Sequence, residues 1–457
     1  MSGFDQLFQS QKTFFETGIT KDYKWRLNAL QRLRRALVVY QQEMLDAAYE
    51  DFKRVSQEVL GTEIWYLLRE IDYTLKNLKG WYKPSYVSLP LWYYPSRSYV
   101  QSEPHGVVLI IAPWNFPYLL VFGPLIHALA AGNCAIIKPS EQAIKQSLVI
   151  EKIVQEIFDQ SQVAIVQGDK QVAQQLLDLP FNYIFFTGST AVGKIVYEKA
   201  AQQLIPITLE LGGKSPAIVC ADADIINAAE NIVLGKFFNT GQSCIAVDYV
   251  VVADVIKNDF IKAMQQAIQK FYGNDPASSA AYARIINKQH YERLKKLLDE
   301  RTSIMGGDIH DANFYIAPTL IEIQNFNDPL MKEEIFGPLL PIITYTNEAV
   351  MIEQIKKLPA PLALYIFAHD MYNAQHLLQK IPSGGACING TLIQASSDQL
   401  PFGGISKSGF GRYHGKYGFD TFSYKRSIVN NRSWFQQKFY PPYNNKIISF
   451  FKWWYPK

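Results

Sequence analysis

Cys244 closes the run NTGQSC over 239–244, and Glu210 sits in the run LELGGKSP over 209–216. Each run is a cluster of Gly, Ser, Thr, Asn or Lys that interrupts an otherwise apolar pattern, the mark of turns with unusual backbone demands. A thiol and a carboxylate in such turns offer a sulfur nucleophile and a base that activates water, the two parts of covalent catalysis through a thioester. The bland alternatives are a buried, inert cysteine and a carboxylate tied to a neighbour such as Lys214. Cys134, Cys220 and Cys387 lack the polar lead-in and read as buried, inert thiols.

Other runs suit a bound dinucleotide. Gly188 and Ser189 open the segment GSTAVG, which follows an apolar run and leads into a helix, so backbone N–H groups and the positive helix end can face a phosphate. Ser189 and Thr190 replace the middle glycine of GxGxxG, and a plain strand-to-helix turn would look similar. Lys138 and Glu141 in KPSE can hold the hydroxyls of an adenosine ribose. A carboxylate there accepts from a 2′-OH and repels a 2′-phosphate, which favours NAD and leaves NADP as the alternative; an exposed turn with a helix cap is the simpler reading. In PWNFP, two prolines stiffen the turn around Trp114 and Asn115, so the Asn115 amide can be a preorganised oxyanion donor or only part of a well-formed turn.

The elements that must position these residues follow from periodicity. Leu27, Leu30, Leu33, Leu37, Tyr40 and Met44 recur at helical steps, as do Ile64, Leu67, Ile71, Leu75 and Leu78. From Gly106 the pattern changes to short apolar runs, at 107–111, 134–137, 163–166 and 183–186, separated by helical stretches such as 142–158. That alternation predicts right-handed βαβ crossovers and a parallel sheet buried on both faces. A second alternation follows Glu210, with strands near 217–219 and 249–252 and a helix over about 223–238. The expected fold is therefore α/β, with two doubly wound domains: a Rossmann-like cofactor domain over 1–81 and 100–209, and a catalytic domain over 210–417. The aromatic, proline-rich stretch 82–99 reads as an extended excursion that leaves the domain and can pair with the C-terminal segment 418–457.

A chain of 457 residues with 48% hydrophobic side chains exceeds one compact core, in keeping with two domains. A net charge of +4 is too weak to argue for nucleic acid. Four scattered cysteines, without a CxxC pair or a Cys/His cluster, suggest neither a disulfide framework nor a metal site and fit a reducing, cytoplasmic compartment. The N-terminus lacks a signal-peptide pattern, and no apolar stretch approaches membrane-spanning length.

PWNFP, KPSE, FTGSTAVG, ELGGKSP, GQSC, EEIFGP and LPFGG, in this order from about 106 to 411, resemble the NAD(P)-dependent aldehyde dehydrogenase superfamily. SGFGRYHG, YKRS and YPPY are similar to its class 3 or fatty aldehyde branch. The resemblance implies that Cys244 attacks an aldehyde, that Asn115 and the Cys244 N–H hold the oxyanion, and that Glu210 deprotonates the water that releases a carboxylic acid. It implies further that Glu334 and Phe336 hold the nicotinamide ribose and ring, that Lys138 and Glu141 take the adenosine ribose, that Gly188 and Ser189 face the pyrophosphate, and that Trp114 flanks the cofactor. LPFGG would shape the site. The expected substrates are medium- or long-chain aliphatic, or aromatic, aldehydes, and the resemblance implies a homodimer with a small β oligomerisation arm formed by 82–99 and 418–457. A CoA-acylating relative and a non-catalytic scaffold that retains the fold are the alternatives. Val247 stands where class 3 relatives carry Pro, a change expected to loosen the strand after the nucleophile.

Composition shifts once. After Asp420 no acidic residue remains, seven Lys or Arg follow, and the chain ends IISFFKWWYPK. Aromatics beside lysines suit peripheral membrane contact; an arm packed across a dimer is the alternative.

Overall fold

A computed structural model describes residues 3–299, 301–434, 436, 437, 440–442, 448, 449 and 452. Two six-stranded sheets form the body. The first runs in spatial order Gly409–Phe410, Ile207–Glu210, Tyr183–Thr187, Val107–Ile111, Cys134–Lys138, Val163–Ile165. Its strands are parallel except Gly409–Phe410, which pairs antiparallel with Leu209 and Glu210. The second sheet is wholly parallel: Thr319–Glu322, Leu339–Tyr345, Tyr249–Ala253, Pro216–Val219, Ala363–Phe367, Gly385–Ile388. Val107–Ile111, Cys134–Lys138 and Tyr183–Thr187 are buried at every residue, as continuous apolar runs covered by helices on both faces must be.

Strand order places the ligand crevices. The chain winds outward from Val107–Ile111 through Cys134–Lys138 to Val163–Ile165, then returns to lay Tyr183–Thr187 on the other side of Val107–Ile111. Consecutive crossovers diverge there, so a gap opens beyond the carboxyl ends of these two strands. PWNFP leaves one of those ends and Gly188-Ser189 leaves the other.

Only residues 97–99 of the stretch 82–99 pair with the C-terminal segment, as part of the strand Arg97–Pro104 that runs past the expected boundary at 99. Ser85–Val87, Arg97–Pro104 and Ser423–Asn430 form a three-stranded antiparallel sheet, in register from Ser423 opposite Pro104 to Asn430 opposite Arg97. The tail 447–457 lies almost entirely outside the described residues. No helix among the described residues is long and apolar enough to cross a membrane.

Two local expectations need adjustment, and one helix lies outside the periodic runs. The helical pattern from Leu27 to Met44 is two helices, Tyr23–Val39 and Gln41–Phe52, because Tyr40 leaves the helical region at φ −87°, ψ 6° while both segments keep one apolar stripe. A further helix, Gly3–Glu16, buries Phe8 against the first sheet, where its ring meets Phe181 edge-on at 5.3 Å. Cys387 is half-exposed rather than buried, because Gly385–Ile388 is an edge strand with all four residues partly open.

Candidate active site

Cys244 lies on a turn between the helix Ile225–Phe237 and the strand Tyr249–Ala253. The turn is built from residues in costly conformations: Asn239 (φ 47°) and Thr240 (φ 55°) both sit in the left-handed region, and a β-branched residue is rare there. Side-chain hydrogen bonds hold it. Asn239 Nδ2 donates to the Asn115 carbonyl at 3.0 Å and to the Gln242 carbonyl at 3.2 Å. Gln242 Nε2 donates to the Arg284 carbonyl at 3.0 Å, and Gln242 Oε1 accepts from the Ile286 N–H at 3.0 Å. Val247 tightens the following segment instead of loosening it: its N–H donates to the Gly235 carbonyl at 3.1 Å, a bond that proline cannot make.

Cys244 is half-buried and faces a cavity of about 350 Å³. Glu210, at the carboxyl end of its strand, lines the same cavity, and the remaining wall is largely apolar, with Phe116, Leu120, Phe238, Ile245, Phe402 and Tyr413. Glu210 is not tied to Lys214, whose ammonium instead pairs with Asp248 and donates to the carbonyls of Leu330 (2.7 Å) and Glu333 (3.0 Å). Both Glu210 carboxyl oxygens are buried without a hydrogen-bond partner. Burial holds the Glu210 carboxyl well above the usual carboxylate range, with Arg412 pulling the other way. The Cys244 thiol is pushed up to about 12, first by burial, then by the nearby Glu334 and Glu210 carboxylates; its own N–H and that of Ile245 oppose the shift. Cys134 and Cys220 are also pushed up by burial, to about 12, but neither faces this cavity.

Asn115 is almost fully buried behind the turn that carries Cys244. Its Nδ2 donates to the Gln242 carbonyl at 3.1 Å, which leaves its second N–H free to point elsewhere. Asn115 does not itself line the cavity that Cys244 and Glu210 share; its neighbour Phe116 does.

A second cavity, about 460 Å³, opens at the gap between Val107–Ile111 and Tyr183–Thr187 and adjoins the first along the segment 210–213. Trp114, Ser189, Glu334 and Phe336 line it. Ser189 caps the helix Thr190–Gln202 by accepting from the Val192 N–H at 3.4 Å, so the amino end of that helix faces the cavity. The Glu334 carboxylate lies where a Gly212 Cβ would be, and it accepts from the Gly213 N–H; burial raises it to about 8. Phe336 (φ 49°) stands edge-on to Trp114 at 5.4 Å, with His290 5.1 Å from Trp114 on another side. Gly188 underlies this mouth: its N–H donates to the Glu210 carbonyl at 3.0 Å, and the Phe186 ring fills the space of a side chain. A helix amino end for phosphate, a carboxylate for ribose hydroxyls and flat aromatics for a ring suit a dinucleotide. Lys138 and Glu141 pair with each other outside the walls of this cavity, Lys138 buried and Glu141 exposed.

Sequence reasoning missed His290, whose helix shows only an amphipathic pattern, and Lys236, a wholly buried ammonium without a hydrogen-bond partner that burial lowers to about 8. It also missed Tyr66 and His414 in the wall of the first cavity, which meet from segments distant in the chain with rings 5.3 Å apart.

The profile of the aldehyde dehydrogenase family matches residues 10–428. The chain belongs to this family. It is 43% identical to 4,4′-diaponeurosporen-aldehyde dehydrogenase of Staphylococcus aureus, over 99% of this chain and 100% of that protein. Against aldehyde dehydrogenase family 3 member B1 of Rattus norvegicus it is 40% identical over 98% of this chain and 96% of that one. The structure of Staphylococcus aureus AldH in a substrate-bound state superposes with a TM-score of 0.96 at 42% identity, covering 99% and 100% of the two chains. PnpE in complex with nicotinamide adenine dinucleotide superposes with a TM-score of 0.85 at 25% identity, over 94% of this chain and 89% of that one. As an aldehyde dehydrogenase, the chain oxidises aldehydes to carboxylic acids with NAD(P)+ through a cysteine nucleophile.

Alkylation by iodoacetamide reads the thiol directly. With its thiol held near 12, Cys244 should react about tenfold faster for each pH unit between about 7 and 9, because the thiolate fraction grows in that proportion. Glu334→Gln should raise the rate at about pH 9, where the lost carboxylate opposes the thiolate. A plateau near neutral pH, measured by peptide mass spectrometry, would contradict the buried-thiol description.

Proposed function

We propose that Cys244 is the nucleophile, Glu210 the hydrolytic base and Asn115 an oxyanion donor, acting on medium- or long-chain aliphatic or aromatic aldehydes with NAD. The observation that carries this reading is the shared cavity: among the described residues, it puts one half-open thiol opposite one carboxylate that has no hydrogen-bond partner.

Sγ of Cys244 gives up its proton to solvent and adds to the aldehyde carbon, and the carbonyl oxygen becomes an oxyanion. The free N–H of Asn115 and the Cys244 N–H meet that charge as preorganised donors. NAD, when bound, supplies the acceptor for the hydride whose departure leaves a thioester on Cys244. Glu210 then takes a proton from water as the water oxygen attacks the thioester, and the carbon–sulfur bond breaks to release the acid and return the thiolate. Burial, which raises the proton affinity of Glu210, makes it a stronger base than a solvated carboxylate.

Trp114, Glu334 and Phe336 are assigned to the nicotinamide riboside, Gly188 and Ser189 to the pyrophosphate, and Lys138 with Glu141 to the adenosine ribose. The exposed Glu141 carboxylate favours NAD over NADP by repelling a 2′-phosphate. The apolar wall supports hydrophobic substrates. Hydrolysis is preferred over CoA acylation because a base faces the thiol. For the antiparallel sheet of 85–87, 97–104 and 423–430, with Tyr86, Leu91 and Tyr94 exposed, a homodimer arm is favoured over membrane contact because it needs no further partner.

Glu210→Gln should give a single NADH burst with steady turnover lowered by about 10²–10⁴, whereas Cys244→Ala should abolish both; loss of the burst in the glutamine variant would refute the hydrolytic role. CoA should leave the steady rate unchanged, and acyl-CoA formation would select the acylating alternative. Across n-alkanals, kcat/KM should climb about three- to fourfold per methylene until the cavity fills, the worth of burying one methylene; a flat series would reject the apolar-substrate reading. Sedimentation should give twice the 52.1 kDa chain mass, and a monomer would remove the dimer arm.

A further inference from the structure

The segment 52–64 carries one buried ion cluster that reaches both loops of the proposed site. The Arg54 and Glu63 side chains are fully buried and paired through Nη1 and Oε1. Arg54 Nη2 donates to Thr62 Oγ1 at 3.2 Å, and Arg54 Nε faces Glu58 Oε2 at 3.9 Å. The second oxygen of Glu63 accepts from the Leu119 N–H at 3.0 Å, which anchors the helix that follows PWNFP. The Glu58 carboxyl lies beside the N–H of Asn239, the first left-handed residue of the turn that carries Cys244. Between the two acids, the Arg54 guanidinium lies 4.8 Å from the centre of the Phe116 ring, and Phe116 stacks on Phe238 at 6.0 Å and 10°. The intervening residues Leu60–Ile64 form a π turn, a rare conformation, and its Gly61 and Thr62 line the substrate cavity.

We propose that Arg54, Glu58 and Glu63 are positioning residues that fix the Asn115 loop against the Cys244 turn, so that oxyanion donor and sulfur approach one carbonyl together. This inference rests on the assignment of Cys244 and Asn115 above. The physical case is one of cost. Two carboxylates and a guanidinium out of water are expensive, and apolar residues of like volume would hold a core as well. What apolar residues cannot do is offer acceptors to the N–H groups of Leu119 and Asn239, two backbone donors on two loops, from one rigid centre. A shift of about 1 Å between nucleophile and donor costs on the order of a hundredfold in rate.

The test is the pre-steady-state NADH burst of full-length Glu58→Ala, Glu58→Gln and Glu58→Asp. Removing the acceptor should lower the burst rate constant at least about tenfold, while burst amplitude per folded chain and NAD binding, followed by fluorescence, stay within about twofold of wild type. Glu58→Gln, which keeps an acceptor for Asn239, should recover most of the rate. Glu58→Asp, which keeps the charge but withdraws it, should not, and it decides the matter if the alanine variant fails to fold. In an Asn115→Ala background, the loss caused by Glu58→Ala should shrink, because the two changes spoil one geometry. A fall in amplitude and thermal midpoint with an unchanged rate constant would make the cluster a mere stability element and overturn the proposal, as would full additivity with Asn115→Ala. A burst that survives in Cys244→Ala would instead bring down the nucleophile assignment itself. A burst lost there, with wild-type rates in all Glu58 variants, would reject only the positioning role.

Discussion

Glu210 is buried with both carboxyl oxygens unsatisfied, and the rest of the site is arranged around that fact. An isolated polar group out of water costs several kcal/mol, more if it is charged. In a fold this well packed, such a group persists only where the surrounding structure leaves it no exit. The Glu210 backbone is held on both sides: its strand pairs with Tyr183–Thr187 and with Gly409–Phe410, and its carbonyl accepts from Gly188. Gly409 (φ +120°) is possible there because its missing Cβ lets it lie against the Leu209 carbonyl. The carboxylate therefore cannot withdraw to a lysine, and Lys214, one turn of chain away, is already engaged by Asp248 and two carbonyls.

The same economy governs the thiol. Burial and two carboxylates raise Cys244, while N–H groups of its own turn lower it, so the sulfur is held as a thiol that ionises when a proton acceptor and a carbonyl are both at hand. Left-handed Asn239 and Thr240 bring the sulfur to the cavity mouth, and strain of this kind is stable only when side chains over-determine it. Here Asn239, Gln242 and Asn115 do so through a closed set of hydrogen bonds. The two cavities proposed for cofactor and substrate meet along 210–213, where two adjacent glycines admit Glu334 from one side. One short segment thus separates Glu210, the carboxylate proposed as hydrolytic base, from Glu334, the carboxylate proposed for ribose.

Much of this was legible in the residue order because it depends on local chemistry. Buried strands of a parallel sheet announce themselves as apolar runs, and the runs at 107–111, 134–137 and 183–186 became strands with ends moved by no more than a residue. The glycine-rich interruptions carrying Glu210, Cys244 and Ser189 all fell at strand or helix ends beside a cavity. The break at Tyr40 escaped notice because a two-helix corner can preserve one apolar stripe. Val247 misled because its effect lies in an N–H bond to Gly235, which no side-chain pattern records.

The order of residues by itself determined the chemistry on offer, a thiol, a carboxylate and a phosphate-facing helix end, together with the alternation of strands and helices that carries them. Turn-forming glycines and apolar period are properties of neighbours in the chain, so a linear reading reaches them. Only the tertiary structure decided which groups share a cavity, that Glu210 rather than Lys214's partner Asp248 is the unpaired acid, and that Arg54, Glu58 and Glu63 tie together loops more than a hundred residues apart in places. Those outcomes depend on desolvation and on donors brought from distant segments, quantities that do not exist until the chain is packed.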